Sequence, residues 1–186
     1  MKVIFLDHDG VICLSQQWGG RYKKKGYDSN PETPLDIRMD SFDAKAVKVL
    51  NSIIEETGCE LVISSDWKRW GNLEQMREMY ETRGIKPPID LTPMIQNCTA
   101  HSNTFIWSPR WDSEQTRVLE INQYLHDHPE ITHWVAIDDM NLGKNGEGWK
   151  DWGLDNFVHC KRPHNEGIKQ SGVKEKILKF LSDELL

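Results

Sequence analysis

The sequence predicts an α/β domain built on a central, mainly parallel sheet. Short apolar runs alternate with amphipathic helical stretches along the chain, and three of these runs end in acids or hydroxyls. The runs are Val3-Ile4-Phe5-Leu6, Leu61-Val62-Ile63 and Trp134-Val135-Ala136-Ile137. Unbroken apolarity is what a strand covered on both faces requires. The runs lead into Asp7-His8-Asp9, Ser64-Ser65 and Asp138-Asp139. In open parallel sheets the ligand site lies outside the carboxyl ends of the strands, so these endings are where chemistry is expected.

Taken in order, Val3–Leu6 reads as the first strand. Residues 11–41 carry glycines, prolines and charges without periodicity, and so long an irregular segment is more often functional than idle. From Phe42 to Thr57, residues Ala46, Val47, Val49, Leu50, Ile53 and Ile54 recur at helical spacing, and Gly58 fits the stop. After the strand Leu61–Ile63 a helix is expected from about Trp70 to Arg83, closed by Gly84. Ile89–Leu91 is a short strand candidate, and residues 94–112 are irregular. Asp112-Ser113-Glu114-Gln115 resembles a helix start, with Val118, Leu119, Ile121, Tyr124 and Leu125 as its buried face. Trp134–Ile137 and Asn156–Cys160 complete the core strands, and Val173–Leu185 is a closing amphipathic helix.

The 186 residues suit one domain, 1–186, with a proper core. Hydrophobic residues make up 38% and charged residues 28%, an ordinary globular balance that argues against disorder. No stretch reaches the roughly 18 apolar residues of a membrane helix. Asp7 ends the first apolar run too early for a signal core of about 7–15 residues, so a cytoplasmic location with no membrane partner is expected. Cys13, Cys59, Cys98 and Cys160 are scattered and form no C-x-x-C pair, which argues for reduced thiols. A net charge of −6 argues against broad, non-specific nucleic-acid binding. The run Arg21-Tyr22-Lys23-Lys24-Lys25 is a local exception that could touch a substrate. The eight tryptophans are mostly expected to pack, with one or two free to stack on a ring.

Four carboxylates converging on one edge, Asp7, Asp9, Asp138 and Asp139, would repel one another and hold protons. A hard divalent cation relieves that conflict, and all-oxygen ligation suits Mg2+. A carboxylate can then attack phosphorus to give an acyl phosphate. A second carboxylate two residues on protonates the leaving oxygen and later activates water. Gly10 permits the sharp turn that lifts both groups out of the strand. A calcium-loop reading of Asp7-His8-Asp9-Gly10 fails, because a strand precedes it and no acid stands at the twelfth loop position.

The stretch Val3–Val11, an apolar strand followed by D-x-D-G, resembles the first motif of the haloacid-dehalogenase-like (HAD-like) superfamily. Leu61–Ser64 is similar to its second motif and Trp134–Asp139 to its fourth. The resemblance implies a HAD-like, Rossmannoid three-layer sandwich with only small cap insertions, about residues 11–41 and 85–112. It implies Asp7 as nucleophile and Asp9 as general acid/base, with the Asp9 backbone carbonyl also on the metal. Asp138 and Asp139 would complete the Mg2+ site, Asp139 being the favoured direct ligand, and Ser64 would bind phosphate. Arg117 is the leading candidate for the basic third motif, with Arg110 and Lys68 as competitors. Gly10, Ser65, Trp67 and Lys68 are expected to line the substrate, although Trp67 and Trp70 read more readily as core. His8 is expected as a loop side chain near the substrate, and His159 with His164 makes no convincing metal site. The segments around Ser64 and Arg117 resemble compact HAD domains of nucleic-acid end repair. The expected activity is therefore a Mg2+-dependent phosphomonoesterase for nucleotide or nucleic-acid terminal phosphates, with no stable protein partner. A small-metabolite phosphatase and a non-catalytic nucleotide-binding module of the same fold are the alternatives.

Overall fold

The computed structural model describes residues 1–14, 32–39, 42–95, 109–144, 151–161 and 165–183, without the side chains of residue 36 and of 109–113. Five strands form one parallel sheet: β1 (Lys2–Leu6), β2 (Glu60–Ile63), β3 (Asp90–Leu91), β4 (His133–Asp138) and β5 (Phe157–His159). Their order is β3-β2-β1-β4-β5. The chain steps outward from β1 to β3, then returns to the other side of β1 for β4. That reversal places the topological switch point between β1 and β4.

The helices are α1 (Leu35–Arg38), α2 (Ala44–Thr57), α3 (Leu73–Thr82), α4 (Pro109–Asp127) and α5 (Val173–Leu181). Period-2 alternation sorts the strand residues onto two faces. Ile4, Leu6, Leu61, Ile63, Val135 and Ile137 share a core with residues of α2, α3 and α5, among them Leu50, Met76 and Ile177. Val3, Phe5, Val62 and Ala136 pack instead with Val118, Ile121 and Tyr124 of α4. Helices on both faces of a parallel sheet make the three-layer α/β sandwich that the apolar runs predicted. Phe5 anchors the α4 side through edge-to-face contacts with Tyr124 (5.6 Å) and Trp134 (5.9 Å), a favoured aromatic geometry.

Several boundaries differ from the sequence reading, each for a local reason. The second helix begins at Leu73, because Asn72 and Gln75 form a reciprocal capping box and Asp66–Arg69 is a separate 3-10 turn. α4 begins at Pro109, about a turn before the expected start at Asp112; proline is well placed in a first helical turn because its missing N–H would have no partner there. Arg117 consequently lies inside the helix, not at its start. α5 ends at Leu181, and Ser182 is already extended (ψ 148°). Within 85–112, Asp90–Leu91 belong to the sheet and Pro109–Asp112 to α4, while 96–108 lie outside the described residues. The basic run Arg21–Lys25 lies outside them too.

Asp43 braces the α2 side of the site. It caps α2 by accepting from the Lys45 (3.0 Å) and Ala46 (2.8 Å) amides and pairs with Lys169 at 3.0 Å. Its own amide donates to the Ile12 carbonyl at 2.8 Å, which ties the loop after β1 to α2. Among the described residues, no helix is long and apolar enough to cross a membrane.

Candidate active site

Strand register brings the three expected endings to one level. Leu6 pairs with Ile63 on β2 and with Ile137 on β4. Asp7, Ser64 and Asp138 therefore emerge side by side, an arrangement sealed by Asp7 N–H to Ile137 O (3.0 Å) and Ser64 N–H to Leu6 O (2.9 Å). The chain then turns sharply. The His8 carbonyl accepts from the Val11, Ile12 and Cys13 amides, and Gly10 sits at φ +78°, a left-handed conformation glycine adopts without penalty. A Cβ on Gly10 would lie 2.3 Å from Asp139 Oδ2. The glycine thus makes the turn and lets the Asp139 carboxylate approach the D-x-D-G backbone.

Asp7, Asp138 and Asp139 are all buried, and each offers a carboxylate oxygen within 4.8 Å of the others. Arg117 Nη1 donates to Asp7 Oδ1 (3.3 Å), to Asp138 Oδ2 (3.0 Å) and to the Ser64 carbonyl. Arg117 is thus set against Asp7 and Asp138, and burying clustered carboxylates carries a severe desolvation cost. Burial first, then Asp139, pushes the Asp7 carboxyl up to about 6 against the pull of Arg117. Burial and Asp7 hold the Asp138 carboxyl well above the usual carboxylate range. Clustered hard oxygen donors of this kind fit a divalent cation such as Mg2+. Asp138 already spends Oδ1 on the Met140 amide (2.8 Å) and Oδ2 on Arg117.

The Ser64 hydroxyl is buried and has no hydrogen-bond partner among the described residues. A buried polar atom left unpaired calls for a missing ligand or water, and this one stands beside Asp7. Ser65 is buried, and its hydroxyl caps the 3-10 turn by accepting from the Trp67 amide. It also lies close enough to Asp7 to draw that carboxyl down against the effect of burial.

The Asp9 carboxylate stands apart from the three-acid cluster, and its Oδ2 accepts from the Trp67 indole N–H at 3.2 Å. Trp67 is only 4% exposed, so it packs and does not present a platform. Lys68, expected at the substrate, is also locked away. Its ammonium donates to Thr92 Oγ1 (2.8 Å), the Pro93 carbonyl (3.1 Å) and Glu120 Oε2 (2.5 Å). Its charge is spent on Glu120, leaving Arg117 as the cation at Asp7; the Arg110 side chain lies outside the described residues.

His8 departs from its expected place. It is fully buried beneath the edge, with Nε2 2.6 Å from the Tyr80 hydroxyl and its ring against Trp67 (4.5 Å) and Phe42 (5.4 Å). Burial, reinforced by Arg83 and Arg117, lowers it to about 3, so the ring is neutral at pH 7. Strand alternation contained the signal, because residue 8 shares the parity of Ile4 and Leu6, which face α2 and α3. Glu120 was missed as well. It lies one turn beyond Arg117 in the buried stripe of α4, and a charge in such a stripe marks a buried partner. His159 is partly buried, with Nε2 3.1 Å from the Asp139 carbonyl.

Residues 3–172 match the family described as the HAD domain in Swiss Army Knife RNA repair proteins. No curated protein and no solved structure matches the chain. The parallel sheet, its switch point and the match across nearly the whole sequence agree, and the chain belongs to this family of HAD domains from RNA repair proteins.

Proposed function

We propose that the protein is a Mg2+-dependent phosphomonoesterase acting on nucleic-acid or nucleotide terminal phosphates through an aspartyl phosphate on Asp7. The observation that carries this reading is the convergence at one strand-end edge of a buried acid cluster, Arg117 and a Ser64 hydroxyl that has no partner among the described residues. Membership of an RNA-repair domain family supports the polynucleotide end over a small metabolite. Cys13, Cys59 and Cys160 are buried and in no disulfide, which suits a cytoplasmic setting.

Asp7 and Asp139 would hold the Mg2+, with Asp138 held by Arg117 at its flank and the Asp9 carbonyl as a further donor. When bound, the cation supplies positive charge that restores the Asp7 carboxylate and screens its approach to an anionic phosphate. Asp7 attacks phosphorus as the bond to the leaving oxygen breaks, and Asp9 gives that oxygen its proton. A water then attacks the acyl phosphate and loses its proton to Asp9. The bond to Asp7 breaks and inorganic phosphate departs. Ser64 donates to one phosphoryl oxygen, and Arg117 offsets charge as it builds.

The test is phosphate release from 3′- and 5′-phosphorylated RNA oligonucleotides, mononucleotides and sugar phosphates, with and without Mg2+. The reading expects Mg2+-dependent release from oligonucleotides or nucleotides. Turnover confined to sugar phosphates removes the substrate assignment, and undiminished turnover after chelation removes the metal.

A further inference from the structure

The Asp9 carboxylate is fixed by a side chain from a different strand ending. Trp67 lies in the 3-10 turn Asp66–Arg69, directly after Ser64-Ser65, and its indole N–H reaches Asp9 Oδ2 at 3.2 Å. The indole has little freedom of its own. It stacks on Phe42 at 5.6 Å with 22° between the planes and lies 4.5 Å from the His8 ring. His8 is anchored by Tyr80 at 2.6 Å, and Tyr80 is fully buried against Phe42 at 5.6 Å. The Arg83 guanidinium lies over the Phe42 ring, 4.3 Å from its centroid. The turn bearing Trp67 is itself pinned by the Ser65 cap. A buried indole N–H needs an acceptor, and the acceptor that this packing presents to Trp67 is the Asp9 carboxylate itself.

We infer that Trp67 is a positioning residue: its indole N–H orients the Asp9 carboxylate for proton transfer to the leaving oxygen, and the aromatic box of His8, Phe42 and Tyr80 keeps it aimed. The inference rests on the phosphatase reading of Asp7 and Asp9. Its chemical consequence is selective. An alkoxide leaving group, such as a ribose oxygen, needs the proton as the bond to phosphorus breaks. A nitrophenolate needs it far less. A proton donor swung out of line therefore slows the first substrate much more than the second.

The experiment compares wild type, Trp67→Phe and Asp9→Asn in single turnovers with enzyme in excess, measuring release of the leaving group. The substrates are a 3′-phosphorylated oligonucleotide and p-nitrophenyl phosphate. Trp67→Phe keeps the stacking ring and removes the donor. It should slow alcohol release about tenfold, leave nitrophenol release within about twofold, and leave half-saturation for the oligonucleotide unchanged. Asp9→Asn should show the same selectivity more strongly. Equal losses on both substrates, no loss on either, or a loss confined to substrate affinity would overturn the inference while leaving the phosphatase reading intact. A wild-type protein inert toward both phosphate esters would overturn the two together. If Trp67→Phe loses its cooperative thermal transition, β-(3-benzothienyl)alanine at position 67 keeps the bicyclic shape without the N–H. The same selective loss is then expected, and wild-type rates would contradict it.

Discussion

The two ends of the parallel sheet handle charge in opposite ways. At the amino end, Lys2 pairs with Asp183 at 2.8 Å and Lys86 with Glu60 at 2.8 Å, all in contact with solvent. Both of these lysines have an anion, and water screens each pair. At the carboxyl end, Asp7, Asp138 and Asp139 crowd together in the interior, with the Arg117 guanidinium against Asp7 and Asp138. The first arrangement costs little and contributes little. The second gathers carboxylates where burial is costly, and under the proposed function a divalent cation would relieve that cost. The contrast teaches that, among the described residues, clustered buried acids belong to this one edge and to the site.

The largest expected effect lies at the carboxyl end. Asp7→Asn should lower phosphate release at least about a thousandfold while the circular dichroism spectrum stays that of the folded protein. Because the substitution also removes one of the repelling charges, the thermal midpoint without metal should not fall as far as a typical buried-charge deletion. Next comes the buried pair behind the site. Lys68→Met leaves Glu120 uncompensated in the interior and should cost about 3–5 kcal/mol by urea denaturation. Adding Glu120→Leu should recover much of that loss, which distinguishes a packed ion pair from a substrate-binding lysine.

Asp43→Ala should cost about 1 kcal/mol at neutral pH through loss of the α2 cap. Burial works against the Asp43 charge, but the Ala46 amide and Lys169 hold its carboxyl below the usual 3.8. Its contribution is therefore present above about 3.8 and is lost as pH falls through the lower folded-state value. Urea midpoints of wild type and variant should converge below that pH. The smallest effect is at the amino end: Lys2→Ala should leave the urea midpoint where it was. A clear drop there would remove the contrast between the two ends.

The sheet and its chemically marked edge were legible because buried parallel strands must be apolar throughout. An acid or hydroxyl ending such a run is conspicuous, and Asp7, Ser64 and Asp138 stand level by register alone. Side-chain direction beyond the strand ends was less legible. Lys68 and Trp67 look like site residues by proximity to Ser64, yet a 3-10 turn of four residues swings one into the core beneath Thr92 and the other toward Asp9. Such a turn leaves no periodic pattern to read. His8 was expected as a loop side chain near the substrate, whereas it continues the parity of Ile4 and Leu6 and turns into the α3 side, where the Tyr80 hydroxyl satisfies one nitrogen. The Asn72 and Gln75 capping pair was readable at its spacing, and the expected start at about Trp70 passed over it.

The most direct test of the central claim is chemical capture of the intermediate. A single turnover with 3′-phosphorylated RNA and Mg2+, quenched in acid and mapped by mass spectrometry, should place phosphate on the peptide containing Asp7. That label should be absent from Asp7→Asn. Phosphate release with no modified peptide in the first turnover, or with the label on another residue, would contradict the account.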